Sequence, residues 1–322
     1  MRPKKHESAA VSWRVAEWAQ ASAKERTLIG WLSGSASKVA RLFADDFLAG
    51  MQAATSMVSR YAEGIQDRLP IFAKEIVGLK PDVIVAGAVN AAVPAHSATS
   101  VIPIVCPALA DAVHLGLIAS EARPGGNITG IEPYVAGLPA KQIEFAREIA
   151  PSATRVGLLT NLHDPKAPPQ RQELVAAAKA LGLTTAEADV NNPGDVESAA
   201  KALTSARVDV LIVLQTGLLL SVGRQIAELA QANGLPTVYG YREHVLDGGL
   251  ISYGVDLRWC YRRGAYFVDK ILHGTPPGEL PVEFPIRRRA LRGYWGLPTR
   301  SSNRSLASTA RIAPRLAGSS RF

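Results

Sequence analysis

The stretch LKPDVIVAG (79–87) decides how this chain folds. Within it, DVIVAG (82–87) is a short apolar run rich in β-branched residues and closed by glycine, and Lys80-Pro81 ends the helix before it. Such a run belongs to a strand buried on both faces, and strands of that kind form parallel sheets covered by helices. VDVLIVL (208–214) is a second one. Working outward, the strands TLIGWL (27–32), VIPIVC (101–106), TRVGLLT (154–160), LTTAEADV (183–190), PTVYG (236–240) and GLISYG (249–254) fit the same scheme. Amphipathic helices separate them at 38–54, 68–79, 138–150, 170–182, 195–206, 221–234 and 257–274. Strands alternating with helices imply an α/β fold with helices on both faces of a parallel sheet.

The pattern then restarts. Gly30 to Asp82 and Gly157 to Asp209 are both 52 residues apart, with a first strand and an Asp-Val-(Ile/Leu) strand in each half. Two Rossmann-like lobes are the simplest account. The chain's 322 residues, 47% apolar and 20% charged, suit a packed two-domain protein. No run of 18 apolar residues occurs, so no ordinary membrane span is expected.

The net charge of +8 suggests an acidic partner until it is located. Residues 286–322 hold nine arginines and no Lys, Asp or Glu, which leaves 27 basic against 28 acidic residues, a net of −1, in 1–285. The basicity belongs to a Ser-, Gly- and Pro-rich tail without regular period, expected to be disordered. Residues 1–26 start basic and reach Ala19-Gln20-Ala21 through small residues, but Arg14 and Glu17 interrupt the apolar core, so they read as a damaged or atypical signal segment. Cys106 and Cys260 are too few for a disulfide framework or a metal site and read as packing residues.

The motifs of P-loops, dinucleotide folds, nucleophile elbows and zinc proteases are all absent, and the six histidines are scattered. No metal or cofactor is expected, and an enzyme reading has little to rest on. Binding is better supported, because open α/β sheets take ligands at the C-terminal ends of their strands. Those ends carry small or hydrogen-bonding residues: Ser33-Gly34-Ser35, Gly87-Ala88-Val89-Asn90, Ala110-Asp111, Asn161, Gln215-Thr216 and Tyr239-Gly240-Tyr241. Amides at helix starts suit a carboxylate, Asp111 suits an ammonium group, and Trp31 and Tyr241 suit an apolar or aromatic side chain.

LKPDVIVAG, IPIV (102–105), ARPGGNITGI (122–131), KQIEFAREIAPSATRVGLL (141–159) and GGLISYGVDLRWCYRRGAYFVDKILHGTPPGELPVEFP (248–285) together resemble the ABC transporter substrate-binding protein family, which includes tryptophan- and tyrosine-type binding proteins. The resemblance covers about 27–285. It implies a type I periplasmic binding fold, with 27–128 plus 256–285 in one lobe, 129–255 in the other and three crossovers between them. It also implies a small amino-acid-like solute, with aromatic ones among the candidates, bound between the lobes and delivered to an inner-membrane ABC permease by a periplasmic monomer without catalysis. By position it carries ligand contacts to Ser33, Ala88, Asn90, Asp111, Asn161, Gln215, Thr216, Tyr241 and Asp256, and hinge roles to Gly126, Ile131, Ser252 and Gly254.

The chain departs from the family at two internal places. Only Thr55–Gly64 follows the 38–54 helix, about ten residues short of the usual second strand, with MVSRY (57–61) a cramped edge strand at best. After Pro285 the arginine tail stands where an apolar strand and a third crossover belong. These breaks read as a deletion near codon 55 and a frameshift near codon 286, and a non-functional family member is one alternative. Another is a cytosolic ligand sensor whose basic tail contacts nucleic acid, although nucleic acid is the less expected partner.

Overall fold

In a computed structural model of the protein, the described residues are 27–34, 37–49, 51, 55–133, 137–285 and 288–293. The expected signal segment and residues 294–322 of the tail lie outside them.

Two parallel sheets form, as the alternating pattern requires. The first is ordered β2-β1-β3-β4-β5, from β1 (Thr27–Ser33), β2 (Thr55–Tyr61), β3 (Val83–Ala86), β4 (Ile104–Cys106) and β5 (Ile128–Gly130). The second is ordered β11-β10-β9-β8-β6-β7, from β6 (Arg155–Thr160), β7 (Thr184–Asp189), β8 (Val210–Val213), β9 (Thr237–Tyr239), β10 (Ile251–Val255) and β11 (Arg288–Arg292). Helices α1 (Ser37–Leu48), α2 (Leu69–Gly78), α3 (Val89–Ala98) and α10 (Leu257–Leu272) serve the first lobe. The second lobe has α4 (Leu138–Ile149), α5 (Ala167–Ala180), α6 (Val196–Ser205), α7 (Gly217–Ser221), α8 (Gly223–Ala232) and α9 (Arg242–Leu246).

The 52-residue repeat is structural. Gly30 pairs with Ile84 and Gly157 with Leu211, the same register in each sheet. Asp82 Oδ2 accepts the Leu28 N–H at 2.9 Å, and Asp209 Oδ2 accepts those of Thr154 and Arg155 at 2.8 and 2.9 Å. In both lobes, therefore, the Asp before the central strand ties down the start of the first strand. Both glycines sit under a packed side chain: a Cβ at Gly30 would stand 2.4 Å from Ile76, and one at Gly157 would stand 3.0 Å from Val208.

Two sequence expectations are corrected. The first helix ends at Leu48 rather than 54, so the second strand is neither missing nor cramped: β2 runs Thr55–Tyr61 and matches β1 over its whole length. A third crossover also exists. Glu283 bridges to Ile131, and the chain returns to the second lobe, where β11 pairs antiparallel with β10 from Val255↔Arg288 to Ile251↔Arg292. Residues 288–292 are thus an edge strand and not disordered tail. Ladder pairing needs backbone groups, and charged side chains on an edge guard it against further pairing.

The crossovers follow β5, β10 and Pro285. Ile131 starts the first and is fully buried. Gly126 lies ahead of β5, inside the first lobe, where Gly125 N–H donates to Gly278 O at 3.0 Å. Because β5 pairs with β4, the second lobe begins after Gly130 and not at 129. Ser252 and Gly254 lie within β10, just ahead of the second crossover. A Cβ at Gly254 would stand 1.8 Å from Gly240 O, a backbone atom that cannot swing aside. Gly254→Ala should therefore cost about 3 kcal/mol or more. Gly194→Ala, with nothing within 4 Å, should stay within about 0.5 kcal/mol. Urea unfolding of both variants measures the difference.

Candidate functional site

The ends of the strands from both lobes converge. Gly64, in the loop after β2, lies so close beneath the second lobe that a Cβ there would stand 3.1 Å from Leu218 and 3.6 Å from Pro193. Leu220 and Tyr241 of the second lobe join the apolar cluster of the first, beside Ala108, Ile131 and Tyr261. A cleft of about 660 Å³ remains between the lobes. Gln66, Asn90 and Pro94 line it from one side, and His163, Asn191 and Asn192 from the other.

The expected ligand residues divide into two groups. Asn90, in the first turn of α3, is 9% exposed, and its Nδ2 donates to Gln66 Oε1 at 3.1 Å, leaving Oδ1 without a partner. Asn161, after β6, is 1% exposed; its Nδ2 donates to Val190 O at 2.8 Å, and its Oδ1 is likewise unpartnered. Tyr241 is buried and its hydroxyl lies 3.5 Å from Lys166 Nζ. Ser33 is buried at the end of β1 against Gly87, and Ala88 is half-buried at the N-cap of α3. These five sit on the facing strand ends.

The others have structural work. Thr216 caps α7 by accepting the Leu219 N–H at 3.3 Å. Gln215 Nε2 donates to Gly240 O at 3.0 Å, while Gln170 holds the Gln215 backbone. Asp256 caps α10 by accepting the Trp259 N–H at 3.2 Å. Asp111 is exposed, in left-handed backbone at φ 49°. Trp31 is fully buried in the first lobe's core, 5.6 Å from the Phe47 ring and 5.9 Å from Tyr261, so it does not cover a ligand.

Sequence reading missed two buried charges. Lys166, just before α5, is 5% exposed and its Nζ has no carboxylate oxygen within 4.0 Å among the described residues. Burial works against its ammonium, but Tyr241 and Asp164 beside it outweigh burial and hold it protonated, above the usual lysine range. Glu243, in the first turn of α9, is 9% exposed with neither carboxylate oxygen hydrogen-bonded. Burial pushes it up from the ordinary 4.5 to about 7, against the pull of Arg242. The next residue, His244, is driven down to about 4 by burial, so it is neutral at pH 7; it bonds Leu219 O at 3.2 Å and stacks on Tyr239. Nothing in the local pattern marked Lys166 or Glu243, because each lies in a short polar stretch that sequence alone would place on the surface.

Buried polar groups in folded proteins are almost always satisfied, and the amide oxygens of Asn90 and Asn191, on opposite sides of the cleft, have no partner within the protein. Two lobes closing on such a cleft define a ligand-binding protein of the periplasmic type. The ABC transporter substrate binding protein family matches residues 51–287, and the chain belongs to it. A tyrosine-binding protein of Clostridioides difficile is 28% identical over 210 residues, which are 65% of this chain and 60% of that protein. A conserved domain protein from Vibrio cholerae is 25% identical, with a TM-score of 0.76 over 84% of this chain and 92% of that one. A Streptococcus pneumonia ABC domain in complex with L-Trp, 22% identical, also superposes at 0.76 over 83% and 92% of the two chains. At the same identity and coverage, a ligand-free, open substrate binding protein from Clostridium difficile gives 0.58.

Glu243 makes the empty protein sensitive to pH. A carboxyl whose folded pKa lies above its unfolded value favours folding when protonated, so stability falls as pH rises from about 4.5 to about 7. That separation corresponds to on the order of 3 kcal/mol. Glu243→Gln should match the wild type below pH 4.5 and exceed it by up to about that amount at pH 8. Thermal melts across this range check it.

Proposed function

We propose that this chain is the solute-receptor component of an ABC importer, binding an amino-acid-like solute between its lobes. The observation that carries the reading is the interlobe cleft whose walls hold amide oxygens with no partner, Asn90 Oδ1 from one lobe and Asn191 Oδ1 from the other. Such groups disfavour closure over an empty cleft and favour it once a ligand satisfies them, which is how a binding protein couples ligand to shape. The tyrosine-binding relative and the L-Trp complex support an aromatic amino acid within that class. Members of the family deliver solute to a membrane permease, and by that reading the chain works outside the cytoplasm, in the periplasm, as a monomer without a catalytic step. The relative matches over 60% of its length, so its ligand is a starting point for this chain and not an assignment.

A thermal-shift screen of the full-length protein tests the reading against the twenty amino acids, simple sugars and polyols. An amino acid at a hundred times its Kd should stabilise the protein by about 2.7 kcal/mol, raising Tm by about 4–5 °C. A folded protein that shifts with no solute in the panel would defeat the proposal.

A further inference from the structure

At the first crossover the chain passes from ties on one lobe to ties on the other within a few residues. Ile131 is held by the first lobe twice: its N–H donates to Cys106 O at 2.9 Å, and its carbonyl accepts the Leu109 N–H at 2.8 Å. Glu132 N–H donates to Glu283 O at 2.9 Å, just ahead of the third crossover. Gly137, at the N-cap of α4, donates its N–H to Glu173 of α5 at 3.2 Å and belongs to the second lobe. Among the described residues, Glu132 is therefore the last on this strap to hold the first lobe. It does so a second time through its side chain, whose Oε1 accepts the Asp111 N–H at 3.1 Å.

That clasp is set among like charges. Asp111 is part of it, and Glu121, from the same loop between β4 and β5, also acts on Glu132. None of the three acids has a cation within 4.0 Å among the described residues. Arg263 of α10 is engaged by the neighbouring Glu283, with Nε and Nη2 on its oxygens at 2.8 and 2.6 Å, and lies over the Tyr266 ring at 3.7 Å. Cys106, at the end of β4, is fully buried and stays a neutral thiol, raised to about 12 by burial. Burial pushes the half-buried Glu132 from the ordinary 4.5 up to about 7; the Asp111 amide opposes the rise, and the charges of Glu121 and Asp111 add to it.

An ionised carboxylate in this place faces two other acids with little water to screen it. Water relieves it once the carboxyl lets go of the Asp111 amide and the strap lifts. Asp111 is exposed, so water takes over its amide. A neutral carboxyl has no such reason to leave. We infer that Glu132 is a proton-controlled clasp on the hinge: protonated, it holds the first crossover in the arrangement of this structure, and ionised, it releases the crossover and lets the lobes open. The clasped form binds the proton more tightly than the open one, so clasping is favoured at acid pH and lost as pH rises from about 4.5 to about 7. Combined with the solute-receptor reading, this makes solute held in acid and released as the surroundings turn neutral.

Small-angle X-ray scattering of the empty, full-length protein tests the clasp without a ligand. The parent is Glu243→Gln, which removes the other buried carboxyl that titrates near 7. Between about pH 5 and about pH 8 the parent's radius of gyration should rise. Adding Glu132→Gln, which mimics the neutral acid, should keep the acid value throughout. Adding Glu132→Ala, which has no clasp, should keep the larger value throughout. Glu121→Gln should move the midpoint to lower pH. Calorimetry with L-tyrosine gives the second readout: each unit by which the clasped and open forms differ in pKa weakens binding about tenfold across the range, and Glu132→Gln should abolish the trend. If Glu132→Ala fails to fold, as judged by circular dichroism, Glu132→Gln against the parent still decides. The inference is overturned if the parent's radius ignores pH, if Glu132→Gln titrates as the parent does, or if the folded Gln and Ala variants have the same radius. A radius that titrates through Glu132, with no response to any amino acid, upholds the clasp and counts against the solute-receptor reading. Binding of L-tyrosine with a radius and an affinity indifferent to pH does the reverse.

Discussion

The Tyr261 hydroxyl donates to Gly87 O at 2.5 Å, and much of the molecule is organised around that buried bond. Gly87 ends the central strand segment of the first lobe and leads into the cleft wall at Ala88 and Asn90. Tyr261 belongs to α10, the helix entered directly from the second crossover. The same ring stacks on Phe43 at 4.4 Å, and Arg258, one turn earlier, and Arg262, the next residue, clasp Asp46 of α1. A buried hydroxyl without its acceptor is expensive, and a carbonyl at a strand end without a donor is equally so. The strand end is therefore fixed by the helix that follows the second crossover. The position of the binding wall and the exit of the second crossover are set by one contact network.

Much of this was legible in sequence because it depends on local pattern. DVIVAG and VDVLIVL read as buried parallel strands and form β3 and β8. The equal spacing of Gly30–Asp82 and Gly157–Asp209 read as a repeat, and the structure gives each pair the same place in its sheet. What escaped notice depends on tertiary context. Helix α3 carries Pro94 in its interior and is nearly all small or apolar, so neither amphipathic period nor propensity revealed it. The site residues behave likewise. Strand-end logic named Asn90, Asn161 and Tyr241, which the structure places at the facing strand ends, since it needs only topology. It also named Gln215 and Thr216, whose side chains serve the fold through Gly240 and the start of α7. Lys166 and Glu243 escaped it because their interest lies in burial without a partner, a property of packing.

The two edges of the fold show how composition misleads about pairing. TSMVSRY and RRALR are poor candidates for buried strands, and neither is one. Each sits at the rim of a sheet, where one ladder of backbone bonds suffices. Arg60 pairs with Glu75 at 2.7 Å on one rim, and Arg292 reaches Glu148 on the other. The arginine-rich stretch after Pro285 thus completes a crossover before the charge can be ascribed to a partner. Its side-chain composition resembles a tail, while its first residues supply backbone to a sheet.

Charge is therefore arranged on two levels. Residues 1–285 are close to neutral, which leaves little long-range field to steer a strongly charged partner. Inside, Lys166 is held out of water beside Asp164 and Tyr241, and Glu243 is held out of water with neither carboxylate oxygen hydrogen-bonded. A low-dielectric setting magnifies each of these local fields. An amide oxygen left without a partner at the cleft, such as Asn90 Oδ1, penalises closure over an empty cleft. That penalty is what makes closure conditional: a cleft lined with satisfied or apolar residues would shut as readily without cargo as with it.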